Sequence, residues 1–253
     1  MTTTDKTKLD KRASDAEIDA KARARLAADE SVITGSRRTA YSLGMAWRGF
    51  WRYPSPWLIT AALVAGWSFR LAEGDWAWGD AIVPAILVAT FPVYEWLVHV
   101  FILHWRPRTV AGLTVDSLLA RKHREHHADP RDVPLVFIPW PVFLWLLPLL
   151  AVIGLVVFPL VGLSTELGLT YIGCMATLGI LYEWTHFLIH SDYKPKTRVY
   201  KAIWRNHRLH HYKNEHYWFS VTTSGTSDRL FGTYPDPATV STSPTAKNLH
   251  GAA

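Results

Sequence analysis

Hydrophobic positions in this chain come in long unbroken blocks separated by polar, helix-periodic stretches. Ala81 to Leu103, Leu135 to Leu163 and Leu167 to Ile189 are each apolar over enough residues to cross a bilayer, which takes roughly 20. Trp57 to Phe69 is shorter, with Trp51, Trp67, Trp76 and Trp78 in and around it as interfacial anchors. The blocks predict spans at about 57–72, 81–103, 135–163 and 167–190. Pro139, Pro141, Pro148 and Pro159 fall in the third, which predicts a broken or kinked hydrophobic hairpin there in place of one straight helix.

Residues 1–36 are polar with few apolar anchors, predicting a disordered tail. Residues 37–56 interleave Arg with Tyr41, Trp47, Phe50, Trp51 and Tyr53, which predicts a segment lying in the membrane interface, ahead of a membrane-embedded domain over 57–253. By length and its 49% hydrophobic content the chain fits a single soluble domain. The blockwise distribution of the apolar residues excludes that reading and predicts an all-α integral membrane protein of about four transmembrane helices.

Charge sets the orientation. Of 27 Lys and Arg, 11 precede Trp57, 6 lie between Arg106 and Arg131, and 9 follow Ile189, leaving only Arg70 for the opposite side when four spans are paired across the membrane. The positive-inside rule makes both termini and residues 105–134 cytoplasmic. A net charge of +6 then reflects orientation and attraction to anionic lipid, and nucleic acid is not an expected partner. The single cysteine, Cys174, lies inside the fourth block and forms no internal disulfide, in keeping with a reducing cytoplasmic face. The first 20 residues carry no apolar signal-peptide core. A bacterial plasma membrane is expected in preference to the endoplasmic reticulum.

Ten of the twelve histidines fall into four clusters: His99 and His104; His123, His126 and His127; His186 and His190; His207, His210 and His211. In an α-helix, spacings of three and four residues put side chains on one face, so the last three clusters each present their imidazoles together. His99 and His104 are five apart and meet only across a π-bulge or at a helix end, for which Pro107 gives a reason. Basic helix faces beside a membrane would account for the charge but not for the choice of His over Lys and Arg. Neutral imidazole is a good ligand for zinc, iron and copper, and ten exceed the four to six positions of one ion, so the count points to two metals.

The chain also repeats itself. Tyr94-Glu95-Trp96 and Tyr182-Glu183-Trp184 each precede a histidine pair at the end of a span, and each pair is followed by H-R-x-H-H. Two such halves meeting at a pseudo-symmetric interface would gather all ten imidazoles. Carboxylates near a membrane boundary are costly unless partnered. Glu95 and Glu183 are therefore expected either to orient imidazoles through their free N–H groups or to reach water or an Arg. Tyr182 and Glu183 are the candidate catalytic pair.

H-x4-H, H-x2-H-H, H-x3-H and H-x2-H-H, in that order at the ends of spans, resemble the fatty acid hydroxylase superfamily. The likeness runs from about Tyr94 to Thr233 and includes Val136-Phe137, Pro139, Thr222-Thr223 and Asp228 to Thr233. Tyr182-Glu183 stands where fatty acid 2-hydroxylases usually carry Tyr-Asp, and Ser227 where a Trp commonly precedes the equivalent of Asp228. The resemblance implies membrane helices beneath a cytoplasmic helical cap, two metals held by the histidines, and C–H oxidation with O2 as co-substrate. Iron is the expected ion in the working enzyme, since zinc, which such sites take up in isolated protein, has no accessible redox change.

Histidines at helix ends lie where a lipid's polar head and first carbons lie, which favours a fatty acid or acyl lipid oxidised near its carboxyl end. A sterol or carotenoid hydroxylase or desaturase of the same superfamily is the alternative within the class. A His-rich membrane metal transporter or metal-binding protein is the competing class, but it would set ligands along the spans near the midplane, whereas these lie at one face. No haem or iron–sulfur pattern is visible, so electrons are expected from a separate donor, cytochrome b5-like or ferredoxin-like, with its reductase. In intact cells, a membrane-impermeant thiol reagent should label Asp75→Cys and spare Asp129→Cys; the reverse pattern would overturn the orientation.

Overall fold

The computed structural model describes residues 41–251, so the expected tail over 1–36 lies outside the described residues. Within them, three helices are long and apolar enough to cross a membrane: Trp78–Leu103, Val133–Leu160 and Thr165–His190. Helix α1 (Leu43–Phe50), capped by the Ser42 hydroxyl, buries Ala46 and Phe50 and leaves Leu43, Met45 and Trp47 exposed. Helix α2 (Pro54–Glu73) opens on Pro54, whose missing N–H costs nothing at a first helical position. It is 20 residues long but falls outside the three candidate spans.

The first candidate span is a 3-10 turn (Trp78–Ala81), helix α3 (Ile82–Val98) and a π turn (His99–Leu103). A two-stranded antiparallel hairpin follows, β1 (Arg108–Val110) with β2 (Leu113–Val115), turned at Ala111 and Gly112, both with positive φ. Helix α4 (Leu118–Ala128), capped by Ser117, then carries the second histidine cluster.

The hairpin expected of the third apolar block does not form. The segment runs in one direction through α5 (Val133–Val136), a break at Phe137 to Pro139, a 3-10 turn (Trp140–Val142), α6 (Phe143–Val152), a π turn (Ile153–Val157) and α7 (Phe158–Leu160). Its prolines bend the helix without reversing it. The π turn sits where the ring of Pro159 would otherwise press on the carbonyl of Leu155. After it the chain turns back into α8 (Thr165–His190), then α9 (Arg198–Tyr212) and the short α10 (Thr226–Leu230).

Helix α8 is the axis on which the others pack. Phe143, Ile59 and Ala176 share one core cluster, and further along Gly66 lies against Gly173 and Gly154 against Gly168. A Cβ at Gly168 would fall 1.9 Å from the Gly154 carbonyl oxygen, so these backbones touch, as small residues allow in membrane helices. At the end of α8 away from the histidines, Arg70 is fully buried. It is paired with Asp80 at 2.9 Å, donates to the Thr170 hydroxyl at 3.0 Å and lies 3.7 Å from the Trp76 ring. That cluster ties α2, the loop after it and the start of α8 together at one end, and the histidines occupy the other.

Candidate metal centre

The first pair, His99 and His104, is aligned by the π turn: the His104 N–H bonds the His99 carbonyl at 3.0 Å, five residues back, and the ring centroids stand 5.0 Å apart. Widening the turn by one residue brings both rings to one face, which a regular α-helix would not do. His186 and His190 end α8, and the two H-x2-H-H trios lie on α4 and α9, each begun by a hydroxyl cap, Ser117 and Thr197. All ten imidazoles face inward, and eight of the ten side chains are buried.

They sort into two groups of five. His99, His104, His123, His127 and His210 bring one nitrogen each to within 4.8 Å of one another, and so do His126, His186, His190, His207 and His211. Each group takes a pair from the end of a long helix, the first and last histidines of one trio, and the middle histidine of the other. The trios thus exchange their middle members, so each group draws ligands from both α4 and α9.

Hydrogen bonds to backbone carbonyls fix which nitrogen four of the rings present. A carbonyl oxygen only accepts, so Nδ1–H must donate from His99 to Phe219 (2.6 Å), His127 to Ala246 (2.9 Å), His186 to Val136 (2.8 Å) and His210 to Tyr217 (2.8 Å). Their Nε2 atoms then carry lone pairs. Yet His99 Nε2 and His127 Nε2 both face His123 Nε2 at 3.2 Å, where a single N–H can satisfy only one of them. In the other group the His207 Nε2 faces both His190 (3.1 Å) and His211 (3.0 Å), while His186 Nε2 and both nitrogens of His126 have no hydrogen-bond partner.

Burial keeps the rings neutral. It lowers the pKa of His104, His123, His126, His207, His210 and His211 well below the ordinary imidazole value and that of His127 to about 3. Neutral, buried ring nitrogens that converge with too few protons to pair them all are what a cation requires of its ligands. Nitrogens bound to one ion at about 2.0–2.1 Å lie no more than about 4 Å apart, so the 4.8 Å spread closes with small ring shifts. The residues fit one nitrogen-ligated metal in each group.

The carboxylates act differently from the expectation that they accept imidazole N–H groups. Glu183 Oε1 accepts from the Ser55 hydroxyl at 2.7 Å and from the Ile138 N–H at 2.9 Å. Two residues before Ile138, the Val136 carbonyl takes the His186 proton. Glu95 accepts from the backbone N–H groups of Val221 and Thr222 and from the Thr222 hydroxyl, and two residues before Val221 the Phe219 carbonyl takes the His99 proton. In both halves, then, a carboxylate grips an irregular segment whose carbonyl orients the first histidine of the pair. Sequence proximity had pointed to the imidazole itself, whereas the contact runs through backbone 45 and 126 residues away.

Asp228 braces the same irregular segment, accepting from Phe219 and Ser220 N–H at 2.9 Å each. Trp218 beside them is fully buried with φ at 56°, a conformation costly for a non-glycine residue, and it separates the two carbonyls, of Tyr217 and Phe219, that serve His210 and His99. His250 accounts for a contact sequence reasoning missed, its Nε2 donating to the His104 carbonyl at 2.9 Å. Ala246 serves His127 from the same C-terminal segment. His216, five residues beyond the last histidine cluster, is exposed and faces Glu215 at 3.5 Å.

Tyr182 lies half-buried with its ring 5.8 Å from that of His186. It and Tyr94, the equivalent residue of the other half, line an apolar cavity of about 220 Å³. The cavity's lining includes Val98 and Leu103, the residues before His99 and His104, and descends between the spans to Phe91, Leu150 and Met175.

A helical protein with candidate membrane spans, ten converging imidazoles and an apolar cavity beside them is thereby defined as a membrane enzyme of the histidine-box type. The fatty acid hydroxylase family model matches residues 84–233, and the chain belongs to that family. It is 27% identical over 187 residues to the dihydroceramide fatty acyl 2-hydroxylase FAH2 of Arabidopsis thaliana, covering 74% of this chain and 73% of the relative. It is 26% identical over 189 residues to FAH1 of the same plant, with the same coverage. Among solved structures, full-length Scs7p, of which only the hydroxylase domain is visible, shares the fold. The TM-score is 0.56 at 22% identity, covering 75% of this chain and 70% of that one.

If Glu183 acts through the Ile138 backbone, Glu183→Ala should weaken metal retention in the His186 group about 10- to 100-fold, the usual cost of losing an outer partner. Glu183→Gln, which keeps an acceptor oxygen, should retain it. Elemental analysis after gel filtration checks this, and equal metal loss in both variants would show that charge rather than the backbone grip matters.

Proposed function

We propose that this protein is a membrane-bound, O2-dependent hydroxylase that oxidises the acyl chain of a fatty acid or acyl lipid near its carboxyl end, with one metal in each group of five histidines. Iron is the ion we assign, because it is redox-active, binds imidazole well and supplies the O2 activation that zinc does not. The observation that carries the reading is the apolar cavity. It reaches Val98 and Leu103, which precede His99 and His104, and Tyr182, one turn before His186; its polar groups, Glu95, Tyr94 and Tyr182, lie toward that end, and the rest of its lining is apolar. An acyl chain filling it has its carboxyl end nearest the ligands, and removing that chain from water is favourable by about 0.8 kcal/mol per methylene.

The relatives' name, dihydroceramide fatty acyl 2-hydroxylase, supports oxidation at carbon 2 of an acyl group. The net change turns one C–H into C–OH and one oxygen atom of O2 into water, and it consumes two electrons and two protons. A separate electron donor, cytochrome b5-like or ferredoxin-like, with its reductase, supplies the electrons. We assign Tyr182 the task of donating its hydroxyl to the substrate carbonyl, which its half-buried position on the cavity wall supports. Glu183 and Glu95 are positioning residues, acting through Val136 and Phe219 on His186 and His99.

The same reading makes α2 a fourth crossing, supported by its packing along α8 and by Arg70 lying at the end away from the histidines. The trios on α4 and α9 then form the cap on the cytoplasmic side, the described part of the domain expected over 57–253 is one embedded unit, and the described part of the segment expected over 37–56, residues 41–56, lies at the interface. Cells expressing the protein and fed a fatty acid carrying deuterium at carbon 2 should yield a 2-hydroxyacyl product that has lost one deuterium. Tyr182→Phe should lower its yield with little loss of bound metal. Hydroxylation with both deuteriums retained would move the reaction to another carbon, and no oxygen gain at all would refute the hydroxylase reading.

A further inference from the structure

We propose that Gly179, with Met175 one turn deeper on α8, sets the length of acyl chain that the site accepts. The proposal rests on the reading of the cavity as the acyl-chain site and adds its depth limit. Helix α8 holds three glycines inside its span, and a glycine in a helix interior costs stability relative to alanine. Two of them are explained by packing. A Cβ at Gly168 would strike the Gly154 carbonyl at 1.9 Å, and one at Gly173 would strike the Trp67 ring at 2.8 Å. At Gly179 the nearest atom is the Ile59 Cγ2 at 3.6 Å, an ordinary contact. No neighbour forbids a side chain there, and the space it would enter is the cavity.

Met175, Gly179 and Tyr182 lie on one stripe of α8 that continues to His186, so depth along the helix is depth in the cavity. At about 1.5 Å per residue, Gly179 lies roughly 4–5 Å below Tyr182 and Met175 roughly 10 Å below it. Ile59 stands across from Gly179, and the floor is formed by Phe91, Leu150 and Met175, of which Met175 is the flexible member. A chain anchored by its carboxyl end must pass Gly179 before it meets that floor. A larger residue at 179 closes the lower part of the cavity, and a smaller one at 175 deepens it.

Binding of a graded series of saturated fatty acids to the purified full-length protein, read by native mass spectrometry, measures this without any turnover. Gly179→Leu should move the optimum to shorter chains, with retention falling about fourfold for each methylene excluded. Met175→Ala should move it to longer ones, and Gly179→Ala should give a smaller shift in the same direction as Leu. Metal content equal to wild type identifies variants that are folded, and Met175→Ala and Gly179→Ala carry the test if the Leu variant is not. An unmoved optimum in the folded variants overturns the gauge, whether or not the protein hydroxylates acyl chains. Optima that move as stated in a protein forming no hydroxylated product sustain the gauge and strike the hydroxylase reading instead.

Discussion

Ten imidazoles packed side by side, eight of them buried, with ring nitrogens facing one another at 3.0–3.2 Å and fewer protons than close contacts, are the constraint from which the rest of this molecule follows. Such an arrangement is unfavourable by itself, because buried nitrogens without proton donors forfeit the hydrogen bonds water would give them. It persists only where rigid structure imposes it and a cation compensates it. The imposing structure is visible at every ring whose Nδ1 proton goes to a backbone carbonyl: Phe219, Ala246, Val136 and Tyr217 are each held away from regular helix hydrogen bonding and turned toward a histidine.

Those carbonyls belong to irregular backbone beside apolar spans, where unpaired peptide groups are expensive. Glu95, Glu183 and Asp228 answer that cost by accepting the N–H groups of the same segments. Three buried carboxylates are therefore part of the scaffold that aims the imidazoles. The Tyr-Glu-Trp repeat divides its labour in the same way in each half. Its Tyr lines the cavity, its Glu grips the segment, and its Trp packs outward, Trp96 on Phe231 and Trp184 on Phe50.

Periodicity made much of this legible before any coordinates. Spacings of three and four residues declare one helix face whatever surrounds them, and the five-residue gap between His99 and His104 already demanded a π turn or a helix end. Division into two groups was not legible, because which trio member joins which group depends on how α4 and α9 are rotated against each other. The partner of Glu183 was not legible for a related reason: sequence neighbours on a helix are always near, and the Ile138 N–H that donates to its carboxylate arrives from another element. The prolines of the third block foretold a bend but not its sense, since a kink and a reversal remove the same backbone donors. His250 gave no signal, being isolated in sequence and brought to the His104 carbonyl by the fold of the C-terminal segment.

Metal stoichiometry of the purified full-length protein, with the local coordination read by X-ray absorption, bears most directly on the two groups of five. Two ions per chain with nitrogen-dominated shells are expected. His104→Ala and His190→Ala, one ligand from each group, should each bring the content toward one ion while leaving the other shell unchanged. A single ion per chain in fully active protein, or loss of both ions together from either substitution, would contradict two independently ligated sites.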